Sequence, residues 1–99
     1  MPGLMAYVAA KAGIHGMMRL LALELAPHRI RVNTLVPGTT ATALAQSNPG
    51  HIERAAASLP MGEVAEPSEL GRYVAFAISD ALPHMTGAQL TVDSGRSIA

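Results

Sequence analysis

The chain has 99 residues, of which 49% are hydrophobic and 14% charged, with seven basic and seven acidic side chains and no cysteine. Such a chain is globular and buries roughly 60–70% of the surface its unfolded form exposes. Balanced charge without a Lys/Arg cluster argues against nucleic acid or an anionic membrane as partner, and the lack of cysteine excludes disulfides and thiolate metal sites and fits a cytoplasmic location.

The stretch Met1–Ala6 has no positive region leading into a long apolar run, and no segment reaches the ~18 uninterrupted apolar residues of a membrane-spanning helix. The chain enters an apolar helix within a few residues, where a complete domain usually offers a polar cap or a first strand. An upstream half is therefore expected to be missing.

From about Leu4 to Ala26 the sequence is rich in Ala, Leu and Met. Ile14, Met17, Met18, Leu21 and Leu25 recur at the spacing of one helical face, so a long helix is predicted. Val8, Ala9, Ala12, Leu20 and Leu23 occupy much of the remaining circumference, the pattern of a helix covered on more than one side. Pro27 ends it near Leu25 or Ala26.

The β-branched run Ile30–Val36 predicts a buried strand closed by the Pro37-Gly38 turn. Thr39 to about Pro67 shows no sustained period, carries several prolines and glycines, and holds at most a short helix around His51–Ser58. Connections of that length are usually functional or mobile. Pro67 suits a first helical position, and Leu70, Tyr73, Val74, Ala77 and Ile78 mark the inner face of a helix running to about Asp80. After the Thr86-Gly87 break, Gln89–Asp93 forms a last short strand. The order is a long helix, then a βαβ unit with an irregular insertion, which implies an α/β fold with a right-handed parallel crossover. Two parallel strands leave the outer edge of Ile30–Val36 unpaired unless other chain covers it, so the sheet too reads as incomplete.

Tyr7 and Lys11 are one helical turn apart, with Cβ atoms about 6 Å from each other on a shared face. A phenol ordinarily ionises near pH 10. An ammonium about 4 Å away, at an effective dielectric near 20, stabilises a phenolate by about 4 kcal/mol. That suffices to make a base, yet the spacing alone arises by chance in many helices, so the pair needs corroboration.

Three further motifs follow it in order: the helix end Leu21-Ala22-Leu23-Glu24-Leu25-Ala26, the strand and turn Arg31-Val32-Asn33-Thr34-Leu35-Val36-Pro37-Gly38, and the closing Thr86-Gly87-Ala88-Gln89-Leu90-Thr91-Val92-Asp93-Ser94-Gly95. Together with Tyr7-Val8-Ala9-Ala10-Lys11 they resemble the C-terminal portion of the short-chain dehydrogenase/reductase family. The resemblance implies part of a Rossmann-like doubly wound parallel sheet, residues 1–99 forming a partial NAD(P)-binding domain without its dinucleotide-binding half. It implies hydride transfer between NAD or NADP and a small alcohol or carbonyl substrate. Tyr7 would be the acid/base, and Lys11 would bind the nicotinamide ribose and lower the phenol's pKa. Pro37 and Gly38 would shape the nicotinamide wall, while Thr40 and Thr42 would meet the carboxamide or pyrophosphate. Ligands do sit outside the carboxyl ends of parallel strands.

In that family Asn33 and Asp93 are structural, and the Tyr-bearing helix and the C-terminal helix and strand build oligomer interfaces, so a homo-oligomer is implied. Ser94 stands where relatives often have glycine, which puts that turn's conformation in question. The four histidines show no metal-ligand spacing, and no metal site is expected. Thr39, Thr40, Ala41, Ala43 and Leu44, in the expected substrate lid, suggest a small, fairly apolar pocket wall.

The family's Gly-rich turn is absent, as is the position that separates NAD from NADP. Its catalytic serine, expected about a dozen residues before the tyrosine, has no place here, because only six residues precede Tyr7. Two readings follow: an oxidoreductase inactive as this chain alone, or a non-catalytic piece retaining the family's assembly elements.

Overall fold

The computed structural model describes residues 3–99; Met1, Pro2 and the side chain of Leu44, read above as part of the start and of the lid, lie outside the described residues. Helix α1 spans Met5–Leu25. Its Ala, Leu and Met content favours helix, and Pro27 is the second residue of the 3₁₀ turn Ala26–His28 that ends it. Arg29 follows in the left-handed conformation at φ 59°. The last carbonyls of the helix are satisfied there by backbone, since Arg29 N donates to Ala26 O at 2.9 Å and Ile30 N to Leu25 O at 3.3 Å.

Strand β1 is Thr34–Pro37, helices α2 and α3 are Ala43–Gln46 and His51–Ala57, α4 is Pro67–Ala77, and strand β2 is Gln89–Val92. The two strands form one sheet. They are parallel, because Thr34 N donates to Ala88 O and Gly38 N to Val92 O, a constant offset. The α/β order expected from the sequence is therefore present, with a helix on the crossover between parallel strands.

The residues divide into two compact units. The first holds residues through Thr34 together with Pro83–Gln89. Here Asn33 fastens the connection before β2: its Nδ2 donates to Met85 O at 2.9 Å and its Oδ1 accepts Ala88 N at 3.0 Å. Arg31 Nη1 also donates to Met85 O, at 3.3 Å. Val32 N finds the Thr86 hydroxyl at 3.0 Å, and Gly87 N donates to Val32 O at 2.7 Å. That arrangement explains why the predicted strand Ile30–Val36 is regular only from Thr34. Opposite Val32 the partner chain is turning at Gly87, whose φ is 72°, so a side chain replaces the ladder bond. Ala22 is buried in this unit at 4% exposure, with the Gly87 turn passing over it. His15 Nδ1 and Gln89 Nε2 lie 3.1 Å apart, a contact joining α1 to the start of β2.

The second unit comprises Leu35–Leu82 and Leu90–Ala99. The stretch read as irregular carries more structure than expected. Thr40 pairs with Ala65 in a parallel bridge, Ala41 N donates to Ala65 O at 2.8 Å, and α2 starts where Thr42 Oγ1 accepts Ala45 N at 3.2 Å. The predicted short helix is α3, one residue shorter than drawn. Ala41 and Leu59 are the buried apolar residues of this unit. Helix α4 begins at Pro67 in a capping box, Glu66 capping the backbone of Glu69 while Glu69 Oε1 accepts Glu66 N at 2.9 Å. It ends at Ala77, short of Asp80, and Ser79 and Asp80 belong to the following turn.

The predicted inner faces are only partly inner. Ile14, Met17, Tyr73, Val74 and Ile78 are all exposed, and so are Met5, Val8, Leu20, Leu23 and Phe76. Patterning identified apolar stripes, but among the described residues there is no chain to cover most of them.

Candidate active site

Tyr7 and Lys11 both stand on α1, inside the first two turns of a regular helix. The Lys11 ammonium lies 5.7 Å from the centroid of the Tyr7 ring. This is within the distance at which a cation is attracted to an aromatic face. Tyr7 is 59% exposed. The spacing read from the sequence thus brings the two side chains together.

Pro37, Gly38, Thr40 and Thr42 lie in the second unit, on the chain that leaves the carboxyl end of β1. Pro37 is the last residue of the strand and is exposed. Gly38 is packed tightly: a Cβ there would stand 2.9 Å from both Cα and Cβ of Asp93. Glycine at this point is a steric requirement, and the backbone of Asp93 is what imposes it. Thr40 Oγ1 donates to Gly38 O at a long 3.4 Å. Thr42 is exposed and caps α2, accepting Ala45 N on its hydroxyl oxygen and leaving the hydroxyl hydrogen to donate. Thr42, Ala45, Asn48 and His51 line an open cavity of about 340 Å³. Asn48 and His51 were not singled out as a pair in the sequence, because their meeting with Thr42 depends on α2 and α3 folding back on one another, which no local spacing encodes.

Asn33 and Asp93 take the structural parts expected of them. The Asn33 clamp is described above. Asp93 Oδ1 accepts Gly95 N at 3.0 Å and Oδ2 accepts Ser97 N at 2.9 Å. Hydrogen bonds from Ser97, first through its side chain and then through its backbone, hold the Asp93 carboxyl below its ordinary range, with a further contribution from Gly95 N–H. Ser94 adopts φ 56°, the conformation a glycine would take without strain. Its hydroxyl donates to Glu63 O at 2.8 Å, which offsets part of that cost. The question raised by a serine at this position is thereby answered: the turn keeps the glycine-like backbone.

Among the described residues no group of three or more His, Asp or Glu side chains is arranged to hold a metal ion. No helix there is long and apolar enough to cross a membrane.

Residues 1–97 match the family model described as enoyl-(acyl carrier protein) reductase. The chain is 39% identical over 106 residues to the oxidoreductase UcpA of Escherichia coli strain K12, covering 98% of this chain and 40% of UcpA. It is 36% identical over 92 residues to trans-4-hydroxycyclohexanecarboxylate dehydrogenase of Sinomonas cyclohexanicum, covering 93% of this chain and 34% of that one. Among solved structures it matches a short-chain dehydrogenase family protein of Francisella tularensis with a TM-score of 0.87 at 32% identity, covering 100% of this chain and 46% of that one. The ligand-free aldohexose dehydrogenase of Thermoplasma acidophilum gives a TM-score of 0.86 at 32% identity, covering 95% and 41%.

The chain belongs to the short-chain dehydrogenase/reductase family. Its α/β fold is part of that family's Rossmann-like parallel sheet, and the relatives it matches are oxidoreductases. The chain spans about 40% of the length of UcpA.

Proposed function

We propose that these residues serve an oxidoreductase that moves hydride between NAD or NADP and a small alcohol or carbonyl compound, with Tyr7 as the acid/base. The observation that carries this reading is the pair itself: Tyr7 and Lys11 one turn apart, the ammonium 5.7 Å from the ring, in a member of a dehydrogenase family. In carbonyl reduction the Tyr7 hydroxyl hands its proton to the substrate oxygen; in alcohol oxidation the phenolate takes it back. Lys11 stabilises that phenolate and donates to ribose hydroxyls.

The donor chemistry fits a nicotinamide nucleotide. In the first unit the Lys11 ammonium and the Tyr7 hydroxyl, and in the second the hydroxyl hydrogen of Thr42 and the backbone of Thr40, are donors suited to a ligand rich in acceptor oxygens. Pro37 and Gly38 contribute a wall without hydrogen-bonding side chains. The cofactor, when bound, supplies the hydride chemistry. The names of two relatives, a hydroxycyclohexanecarboxylate dehydrogenase and an aldohexose dehydrogenase, support a small hydroxylated organic compound as the substrate class.

Nothing among these 99 residues provides the Gly-rich phosphate turn of the family, so cofactor binding and turnover are proposed to require a dinucleotide-binding segment joined ahead of them. The test is NADH and NADPH fluorescence titrated with the 99-residue chain and with a polypeptide in which such a segment precedes it. A change of fluorescence only with the longer polypeptide is expected. Tight binding by the 99 residues alone contradicts this division of labour. A longer polypeptide that folds and binds neither nucleotide contradicts the oxidoreductase reading and leaves the chain as an assembly element.

A further inference from the structure

The long connection between β1 and α4 is tied down at its base by two sets of bonds within the second unit. Thr40 pairs with Ala65 in the parallel bridge, and Ala41 N donates to Ala65 O at 2.8 Å. The other set comes from the turn that follows β2. Ser94 O accepts Met61 N at 3.1 Å, and Ser94 Oγ donates to Glu63 O at 2.8 Å. One residue therefore holds the connection on both sides of Gly62. Next to it Gly95 packs on Pro60, where a Cβ on the glycine would stand 3.0 Å from both Cβ and Cγ of the ring.

Residues 42–59 lie between the two ends of this base and carry α2 and α3, packed on one another. The turn that fixes their base also abuts the stretch assigned to the nicotinamide wall, because Asp93 leaves no room for a methyl on Gly38. Three consecutive residues, Asp93, Ser94 and Gly95, thus touch Gly38, the Met61 and Glu63 backbone, and Pro60. A glycine at position 94 would adopt φ 56° without strain and still offer its carbonyl to Met61 N. Only the bond to Glu63 O requires a side chain.

We propose that Ser94 is a positioning residue of the substrate lid: its hydroxyl clasps Glu63 O and so sets how the α2–α3 segment is presented to the substrate. The proposal rests on the oxidoreductase reading, in which this connection is the lid. Losing one such bond shifts a local opening equilibrium by about two- to tenfold. Apparent affinity falls with the fraction of chains in the binding arrangement. The effect is therefore expected on substrate KM more than on kcat.

Ser94→Gly and Ser94→Ala lose the same hydroxyl and differ in backbone strain, so positioning and mere stabilisation predict different orders. The longer polypeptide, with a dinucleotide-binding segment ahead of these residues, is assayed with cyclohexanol, 2-butanol and glucose. On whichever of these the parent oxidises, both variants should raise KM alike, by about two- to tenfold, with a smaller change in kcat. Amide hydrogen exchange of the 99-residue chain should quicken by a similar factor at Met61 and Ala41 in both. The proposal is overturned if Ser94→Gly keeps the parent's KM, or if KM follows the order of the thermal midpoints, with Ser94→Ala the worse. Unaltered exchange at Met61 and Ala41 while the longer parent turns over defeats the clasp alone. A longer parent that oxidises none of the three defeats the oxidoreductase reading and the lid role with it, and exchange still reports the clasp.

Discussion

Replacing Asn33 with alanine removes both hydrogen bonds by which one side chain fastens the turn before β2, to Met85 O at 2.9 Å and from Ala88 N at 3.0 Å. Each such bond contributes about 0.5–1.5 kcal/mol net, so the pair accounts for about 1–3 kcal/mol. Met85 O retains the longer bond from Arg31, which places the carbonyl's loss at the low end, whereas Ala88 N has no substitute acceptor described. Against a total stability of about 5–15 kcal/mol for ordinary domains, this is a large fraction. With a urea slope of about 1–3 kcal/mol/M, the midpoint should fall by about 1 M at unchanged slope. Asn33→Asp sharpens the test. It keeps the acceptor for Ala88 N but turns a carboxylate oxygen toward Met85 O, and should be no more stable than Asn33→Ala. Urea unfolding followed by circular dichroism measures both. An Asn33→Ala midpoint unchanged from the parent would refute the clamp as an energetic element.

Gly38→Ala should destabilise by about 1–3 kcal/mol, since the new methyl meets Asp93 at 2.9 Å; the thermal midpoint checks it, and an unchanged value shows that the backbone gives way freely. Ser94→Ala keeps the strained φ of 56° and loses the bond to Glu63 O, whereas Ser94→Gly loses the bond but relieves the strain. Ser94→Gly should therefore be the more stable of the two by about 1 kcal/mol, with the reverse order contradicting the strain. The lowered pKa of Asp93 sets a pH dependence. A carboxyl depressed in the folded state contributes stability above its unfolded value, and that contribution disappears as pH falls through the folded value. The stability difference between the parent and Asp93→Asn should accordingly be full near neutrality and shrink below about pH 4; a difference independent of acid would show that the charge plays no part.

What the sequence made legible was what local chemistry decides. Pro27 and Pro67 bound two helices because proline lacks a donor and fits a first turn. Helical spacing put Tyr7 and Lys11 on one face, and the three motifs that follow them singled the pair out. Serine at position 94 put its turn's conformation in question, and the turn keeps a positive φ of 56° all the same. The start of β1 was misjudged because β-branched residues say nothing about the partner, which at Val32 is the Thr86 side chain. Helix α2 is a single turn fixed by the Thr42 cap and lies below what periodicity resolves. The Thr42–Asn48–His51 cavity has no sequence signature, since it depends on α2 and α3 folding back on one another. The apolar faces of α1 and α4 were read correctly as apolar; their covering cannot be read from an element's own pattern.

The most direct test of Tyr7 as acid/base uses the longer polypeptide with a dinucleotide-binding segment ahead of these residues, assayed for NAD(P)-linked oxidation of small hydroxylated organic compounds. Tyr7→Phe keeps the ring and removes only the hydroxyl. It should lower kcat by about 10²–10⁴-fold while NAD(P)H fluorescence still reports nucleotide binding. A Tyr7→Phe variant that binds nucleotide and turns over at the parent rate would contradict the assignment.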